Sequence, residues 1–163
     1  MEGGVREPAS IPVYAETSVY GACFDQGFSE SSRAFFQQVR ERRFQLFTSA
    51  IVEEELEPAP EPVRALFAEL DGVTSVLALT EEALAVRDAY LRAGILSPKW
   101  TTDALHVAIS SVARCSCIVS WNFRHIVHAD KILLYNAVNS VHGLPPLRIH
   151  SPPEVLRYGD EAV

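Results

Sequence analysis

Short apolar runs alternate with longer amphipathic stretches through most of this chain. Val13 to Ala15, Phe44 to Phe47, Val73 to Leu79 and Cys117 to Ser120 read as strands, with a weaker run at Leu147 to Ile149. Between them the spacing predicts helices. One covers Arg33 to Arg43 with Ser31 and Ser32 as caps, one covers Ala50 to Leu56 behind Ser49, and one covers Pro62 to Leu70 with proline in its first turn. Thr80 caps a helix that runs to about Arg92 and stops before Gly94, a residue favoured just past a helix end. Ala104, Leu105, Val107, Ala108 and Ile109 give the helix after Asp103 an apolar surface nearly all round, so it is buried. The Pro-rich stretch from Glu57 to Pro62 is a helix break. Strands alternating with helices imply an α/β fold of three layers, α/β/α, around a central parallel sheet.

The 163 residues fit one domain, expected over 1–163 with its core at about 13–156 and residues 1–10 outside it, open to disorder. Hydrophobic residues at 48% and charged residues at 21% are ordinary for a globular protein. No apolar run approaches the roughly 20 residues that span a bilayer, so no membrane partner is expected. The start, Met1 to Gly4, lacks the basic segment and apolar stretch of a signal peptide, which reads as cytoplasmic. Three cysteines, two of them one residue apart at Cys115 and Cys117, read as buried thiols; a disulfide or a zinc site wants other spacing. A net charge of -7 disfavours a nucleic-acid binder without excluding one, because a bound divalent metal offsets a local acidic cluster.

Four polar side chains stand where strand-like runs give way to helices, or within the helix that follows: Glu16, Glu55, Asp103 and Asn122. In an open parallel sheet such positions gather at one edge, where ligands bind. Each has an ordinary reading too. Glu53, Glu54 and Glu55 sit in early helical turns, where negative charge is favoured. Glu55 lies four residues from Ile51 and so near the buried face, with Glu54 as the alternative. Asp103 and Asn122 are both acceptable caps. His106 reads either as a core histidine or as a group that orients Asp103. Three carboxylates and an amide together make an oxygen-rich set suited to Mg²⁺ or Mn²⁺, metals that activate water and stabilise phosphodiester displacement.

The chain resembles the PIN domain family, metal-dependent nucleases that include the toxins of many toxin–antitoxin pairs. The matching residues are Tyr14 to Val19, Ser49 with Glu55 and Leu56, Asp103 to Ala108, and Ser120 to His125, with a Ser151-Pro152-Pro153-Glu154 ending. The resemblance implies a PIN-like fold, Mg²⁺ or Mn²⁺ as cofactor, and catalytic and metal-site roles for Glu16, Glu55, Asp103 and Asn122, with Thr17 or Ser18 supporting the first. It also implies RNA as substrate, an antitoxin protein as partner and a homodimer. Most of the family has Asp at the position of Glu16, and many members have Asp at that of Asn122. A branch reading Glu-Thr-Ser and Trp-Asn-x-x-His matches this chain at both.

Two functions follow. The first is a metal-dependent endoribonuclease, with Lys99, Arg124 and Lys131 as substrate-contacting cations and Trp121 or His125 stacking on a base. Each of these has a plain alternative, Lys99 and Lys131 as solvated charges, Trp121 as core and His125 as a backbone partner. The second is a PIN-like domain that no longer cleaves and binds protein or RNA.

Overall fold

The computed structural model describes residues 9–162. Among these residues five strands form one parallel sheet: β1 (Ile11–Ala15), β2 (Phe44–Ser49), β3 (Thr74–Leu77), β4 (Cys117–Val119) and β5 (Arg148–His150). Their order is β3-β2-β1-β4-β5, so the chain starts at the centre, builds outward to β3, then returns to the other side of β1. Val13 aligns with Leu46 on β2 and with Cys117 on β4. Val13, Tyr14 and Ala15 are all fully buried, as are Cys117, Ile118 and Val119, which is the pattern of strands covered on both faces.

Among the described residues eight α-helices cover the sheet: α1 (Thr17–Ala22), α2 (Ser29–Arg40), α3 (Ala50–Leu56), α4 (Glu61–Glu69), α5 (Glu81–Arg92), α6 (Thr101–Val112), α7 (Ala129–Val141) and α8 (Pro152–Glu161). α1 packs against α2, α3 and α4, and α2 against α8, while α5 packs against α6 and α7. The expected three-layer α/β/α arrangement is the observed one. No helix among the described residues is long and apolar enough to cross a membrane. The reading of residues 1–10 as open to disorder falls, for 1–8, outside the described residues.

Several boundaries differ from expectation for identifiable reasons. The run at 73–79 is a strand only over Thr74–Leu77, because a 3₁₀ turn occupies Leu70–Val73. α2 starts at Ser29 and not at Arg33, and Ser32 is no cap: its hydroxyl donates back to the Phe28 carbonyl inside the helix, at 2.9 Å. α2 ends at Arg40, and Arg42 adopts a positive φ of 64° on the way to β2. Ser49 precedes α3 but makes no cap bond, since its hydroxyl is taken by Tyr14. Thr80 does cap α5, accepting from the Ala83 N–H, and Gly94 follows the helix at φ +76°. The three cysteines are buried free thiols, and burial pushes Cys23 up to about 11 and Cys115 up to about 12.

α8 is fixed at its start. Pro152 and Pro153 open it, and the Glu154 carboxylate accepts from the Ser151 N–H and hydroxyl at 3.1 and 2.7 Å. Burial acts to raise the Glu154 carboxyl, but the two Ser151 bonds and nearby positive groups outweigh it and hold it below its ordinary value. Its contribution is therefore complete above the unfolded carboxylate pKa of about 4.3 and is lost as pH falls through the lower folded value. Glu154→Gln should narrow its thermal-stability gap to wild type between about pH 5 and pH 3, a gap that stays constant if the carboxylate is not held.

Further along α8, Gly159 sits so close to β2 that an added Cβ would lie 2.8 Å from Cζ of Phe44, a ring that is itself buried. Gly159→Ala gains helix propensity of about 0.5–1 kcal/mol but overpacks this contact at about 1–3 kcal/mol. The expected outcome is a lower melting temperature, read by thermal denaturation; a rise would show that Phe44 yields.

Candidate functional site

β1 and β4 are neighbours whose connections run to opposite sides, and ligands of such sheets bind outside the carboxyl ends of the strands at that switch point. Glu16 follows β1 there. Its N–H donates to the Val119 carbonyl at 2.9 Å, and its carboxylate accepts from the Ser18 N–H at 2.9 Å, which caps α1. The residue is only 6% exposed. Burial pushes its carboxyl above the usual carboxylate range, and Glu55 adds to this, while His106 and the Ser18 bonds oppose it. The Ser18 hydroxyl accepts from the Trp121 N–H at 2.9 Å, tying the start of α1 to the segment after β4.

Two hydrogen-bonded groups flank Glu16. In the first, Tyr14 of β1 places its hydroxyl 2.8 Å from Ser49 Oγ and 2.8 Å from His106 Nδ1. His106 is 1% exposed, and its Nε2 lies 2.5 Å from Glu55 Oε1, which also accepts from the Thr17 hydroxyl at 2.9 Å. Of the triplet Glu53 to Glu55, the carboxylate that meets α1 and α6 is that of Glu55. Burial acts to raise the Glu55 carboxyl, but the His106 bond and charge, with Thr17, hold it below its ordinary value. Burial likewise pushes the Tyr14 phenol up, so it stays protonated and available as a donor.

In the second group, Asp103 lies in the first turn of α6, as expected, but is not its cap, because α6 begins at Thr101. Its Oδ2 lies 2.8 Å from His125 Nδ1 and accepts from Asn122 Nδ2 at 3.3 Å. Asn122 Oδ1 accepts from the His125 N–H at 2.9 Å, and the Asn122 N–H donates to Ser120 Oγ at 2.9 Å. Asn122 thus does cap the turn through His125, as its local sequence suggests, and positions Asp103 with its other end.

All four expected residues stand at the carboxyl edge of the sheet, but not as one close cluster. Glu55 is joined to His106, and Asp103 to His125 and Asn122. Among the described residues no three Asp, Glu, His or Cys side chains converge closely enough to hold a metal ion. The donor chemistry still suits Mg²⁺ or Mn²⁺, which take oxygen ligands, use one or two carboxylates and keep several waters. Glu16 and Asp103 have the donor chemistry for it: among the described residues the buried Glu16 carboxylate has Ser18 as its only bond partner. The Asn122 amide is engaged at both ends.

Other roles differ from the sequence reading. His106 orients Glu55 and not Asp103; His125 holds Asp103. Ser18 supports Glu16, whereas Thr17 supports Glu55. Trp121 donates from Nε1 to Ser32 Oγ at 2.8 Å and packs edge-on to Phe28, a structural role. Two residues have roles that the sequence does not assign. Tyr14 sits in an apolar run that hides its hydroxyl, and Trp100, whose ring centroid lies 4.3 Å from that of His125, ends a short polar segment with no strand or helix signal.

Similar folds occur among solved structures. The chain is similar to one in the structure of VapBC2 from Rickettsia felis bound to a DNA fragment from their promoter, with a TM-score of 0.56 at 10% identity, covering 86% of this chain and 98% of that one. It is similar to one of FitAcB from Neisseria gonorrhoeae, TM-score 0.52 at 11% identity, covering 86% and 97%. The fold is PIN-like. At such identities the PIN-like likeness extends to architecture alone. No protein-family model matches the sequence, and no curated protein matches it.

The Tyr14 hydroxyl is the bridge on which the first group depends. Tyr14→Phe would leave buried His106 Nδ1 and Ser49 Oγ without this partner, a loss of about 1–3 kcal/mol. Thermal denaturation should show a melting temperature about 2–12 °C lower; an unchanged one would mean that the hydroxyl is dispensable.

Proposed function

We propose that this chain is a metal-dependent endoribonuclease with a PIN-like fold. The observation that carries the reading is that Glu16 follows β1 while Asn122 and His125, in the segment after β4, hold Asp103 of α6, so that both groups belong to the ends of the two strands that flank the switch point of the sheet. Glu16 and Asp103 would hold Mg²⁺ or Mn²⁺, with Glu55 and Asn122 at the margins of the site. When bound, such an ion supplies a Lewis acid that lowers the pKa of water and stabilises charge on a phosphodiester in displacement.

The remaining chemistry belongs to the chain. His125 holds the Asp103 carboxylate through Nδ1, and Asn122 fixes both the carboxylate and the turn that carries His125. On the other flank, His106 holds Glu55 with one carboxylate oxygen turned to Thr17 and the imidazole. Supporting bonds of this kind keep charged groups in place, and their loss typically lowers activity by 10–100-fold.

RNA as substrate, a cytoplasmic location, an antitoxin protein as partner and a homodimer belong to the same proposal, as does a single domain over 1–163. The similar structures are of VapBC2 and FitAB, each bound to DNA fragments, which supports a protein partner for this chain without identifying it. A second reading, a PIN-like binding module that does not cleave, is favoured by one observation. The Asn122 amide and one oxygen of Glu55 are already committed to structural bonds.

Cleavage of a mixed single-stranded RNA pool by purified wild type and Asp103→Asn decides between the readings. The expected result is cleavage with Mg²⁺ or Mn²⁺, none with a chelator, and a fall of about 100-fold or more in the variant, the scale of removing a group that stabilises developing charge. A folded wild type inactive with both metals would sink the nuclease reading, and activity that survives the substitution would place it elsewhere.

A further inference from the structure

Beside Asp103 opens a cleft of about 270 Å³, walled by the turn from Gly94 to Ser97, Trp100, Arg124, His125 and Lys131. Its charge is out of keeping with the rest of the molecule. The chain carries a net charge of -7 and has only two lysines, Lys131 in the cleft wall and Lys99 beside its Trp100 ring. Lys131 is part of the wall, its Nζ donating to the Ile95 carbonyl at 2.9 Å. Lys99 Nζ lies 5.0 Å and the Arg124 guanidinium carbon 5.4 Å from the centroid of the Trp100 ring. No Asp or Glu is among the described residues that line the cleft, and Asp103 behind it is turned to His125 and Asn122.

Contact with the indole face holds two of these cations at their positions, and the Ile95 carbonyl holds the third. Like charges held together repel unless an anion lies among them. The indole itself packs against His125 at 4.3 Å with the planes inclined by 40°, so a half-buried aromatic surface stands among fixed positive groups. An aromatic platform flanked by backbone-tracking cations is the combination that binds single-stranded nucleic acid without base-specific hydrogen bonds.

We propose that this cleft is a nucleotide-binding subsite, in which Arg124 and Lys131 take a phosphate, Lys99 takes a neighbouring one, and the base lies against Trp100. The inference rests on the nuclease reading for the identity of the ligand as RNA. It places the strand next to Asp103 through His125, which touches both Trp100 and the Asp103 carboxylate.

The test is binding of the full chain to a fluorescein-labelled 2′-O-methyl RNA hexamer, measured by anisotropy in a chelator at several salt concentrations, so that cleavage plays no part. Trp100→Ala should weaken binding by about 5- to 150-fold, with Trp100→Phe retaining most of the affinity as the folded control. Arg124→Gln and Lys131→Gln should each reduce the slope of log affinity on log salt by about 0.7, whereas Arg148→Gln, on β5 and not part of the cleft lining, should leave it unchanged. AMP that displaces the hexamer assigns the site to a single nucleoside phosphate. Hexamer binding that AMP leaves intact assigns it to a strand; either upholds the subsite. A folded wild type that does not bind, or binding unaltered in all three cleft variants, overturns it. Binding without RNA cleavage would keep the subsite and remove the nuclease reading, while cleavage with unaltered binding in the cleft variants would do the reverse.

Discussion

An imidazole that is almost wholly buried has to be paired, and the way His106 is paired organises this molecule. An unbonded buried polar group costs about 1–3 kcal/mol, so the ring nitrogens constrain whatever surrounds them. Here Nδ1 meets Tyr14 of β1 and Nε2 meets Glu55 of α3, which locks α6 to the central strand on one side and to the helix after β2 on the other. Because α6 is rigid, fixing His106 fixes the residue one turn earlier as well. That residue is Asp103, and its carboxylate is delivered to the segment after β4. The histidine that looks like packing is what sets the relative placement of the two halves of the candidate site.

The sheet order explains why these halves meet where they do. The chain leaves β1 toward β2 and β3, and only later lays β4 against the free side of β1, so the segments after β1 and β4 diverge from adjacent strand ends. Ser18 closes that divergence by capturing the Trp121 N–H, and Asn122, the next residue, caps its own turn while reaching Asp103. One short segment, Ser120 to His125, therefore terminates a strand, orients a carboxylate and supplies one wall of the cationic cleft.

The parts of this arrangement legible in the sequence are those written as hydrophobic period. The apolar runs of β1, β2 and β4 and the all-round apolar surface of α6 announce a doubly covered parallel sheet, and with it a polar carboxyl edge. What the pattern hides are helices whose buried face is polar. α7 went unrecognised because it turns Tyr135 and Asn139 inward, to the His125 carbonyl and to Tyr90 and Ser111, while Leu133, Leu134 and Val141 face outward. Ser49 and Ser32 mislead for a related reason: the Ser49 hydroxyl is paired with Tyr14, and the Ser32 hydroxyl donates to the Phe28 carbonyl and accepts from Trp121, so neither accepts from an N–H at a helix start. Glu55 could be told from Glu54 only once α3 was set against His106, a contact 51 residues away in sequence.

Glu16 remains the residue that local structure explains least. It caps α1, yet the side chains favoured at a cap are Ser, Thr, Asp and Asn, whose short reach suits the bond to the N–H two or three residues on. A longer carboxylate performs the same bond with no evident gain, and does so buried, where its charge is disfavoured and Glu55 disfavours it further. The opposing influences, the His106 charge and the Ser18 bonds, do not bring its carboxyl back to the ordinary range. Structure alone would be served as well by a shorter or uncharged side chain. A carboxylate in that position is accounted for when positive charge arrives at the edge of the sheet, whether as a divalent ion or as a partner's cationic group. Among the described residues Lys99, Arg124 and Lys131 are held about the Trp100 cleft, and the Glu16 carboxylate is bonded by the Ser18 N–H and by no lysine or arginine.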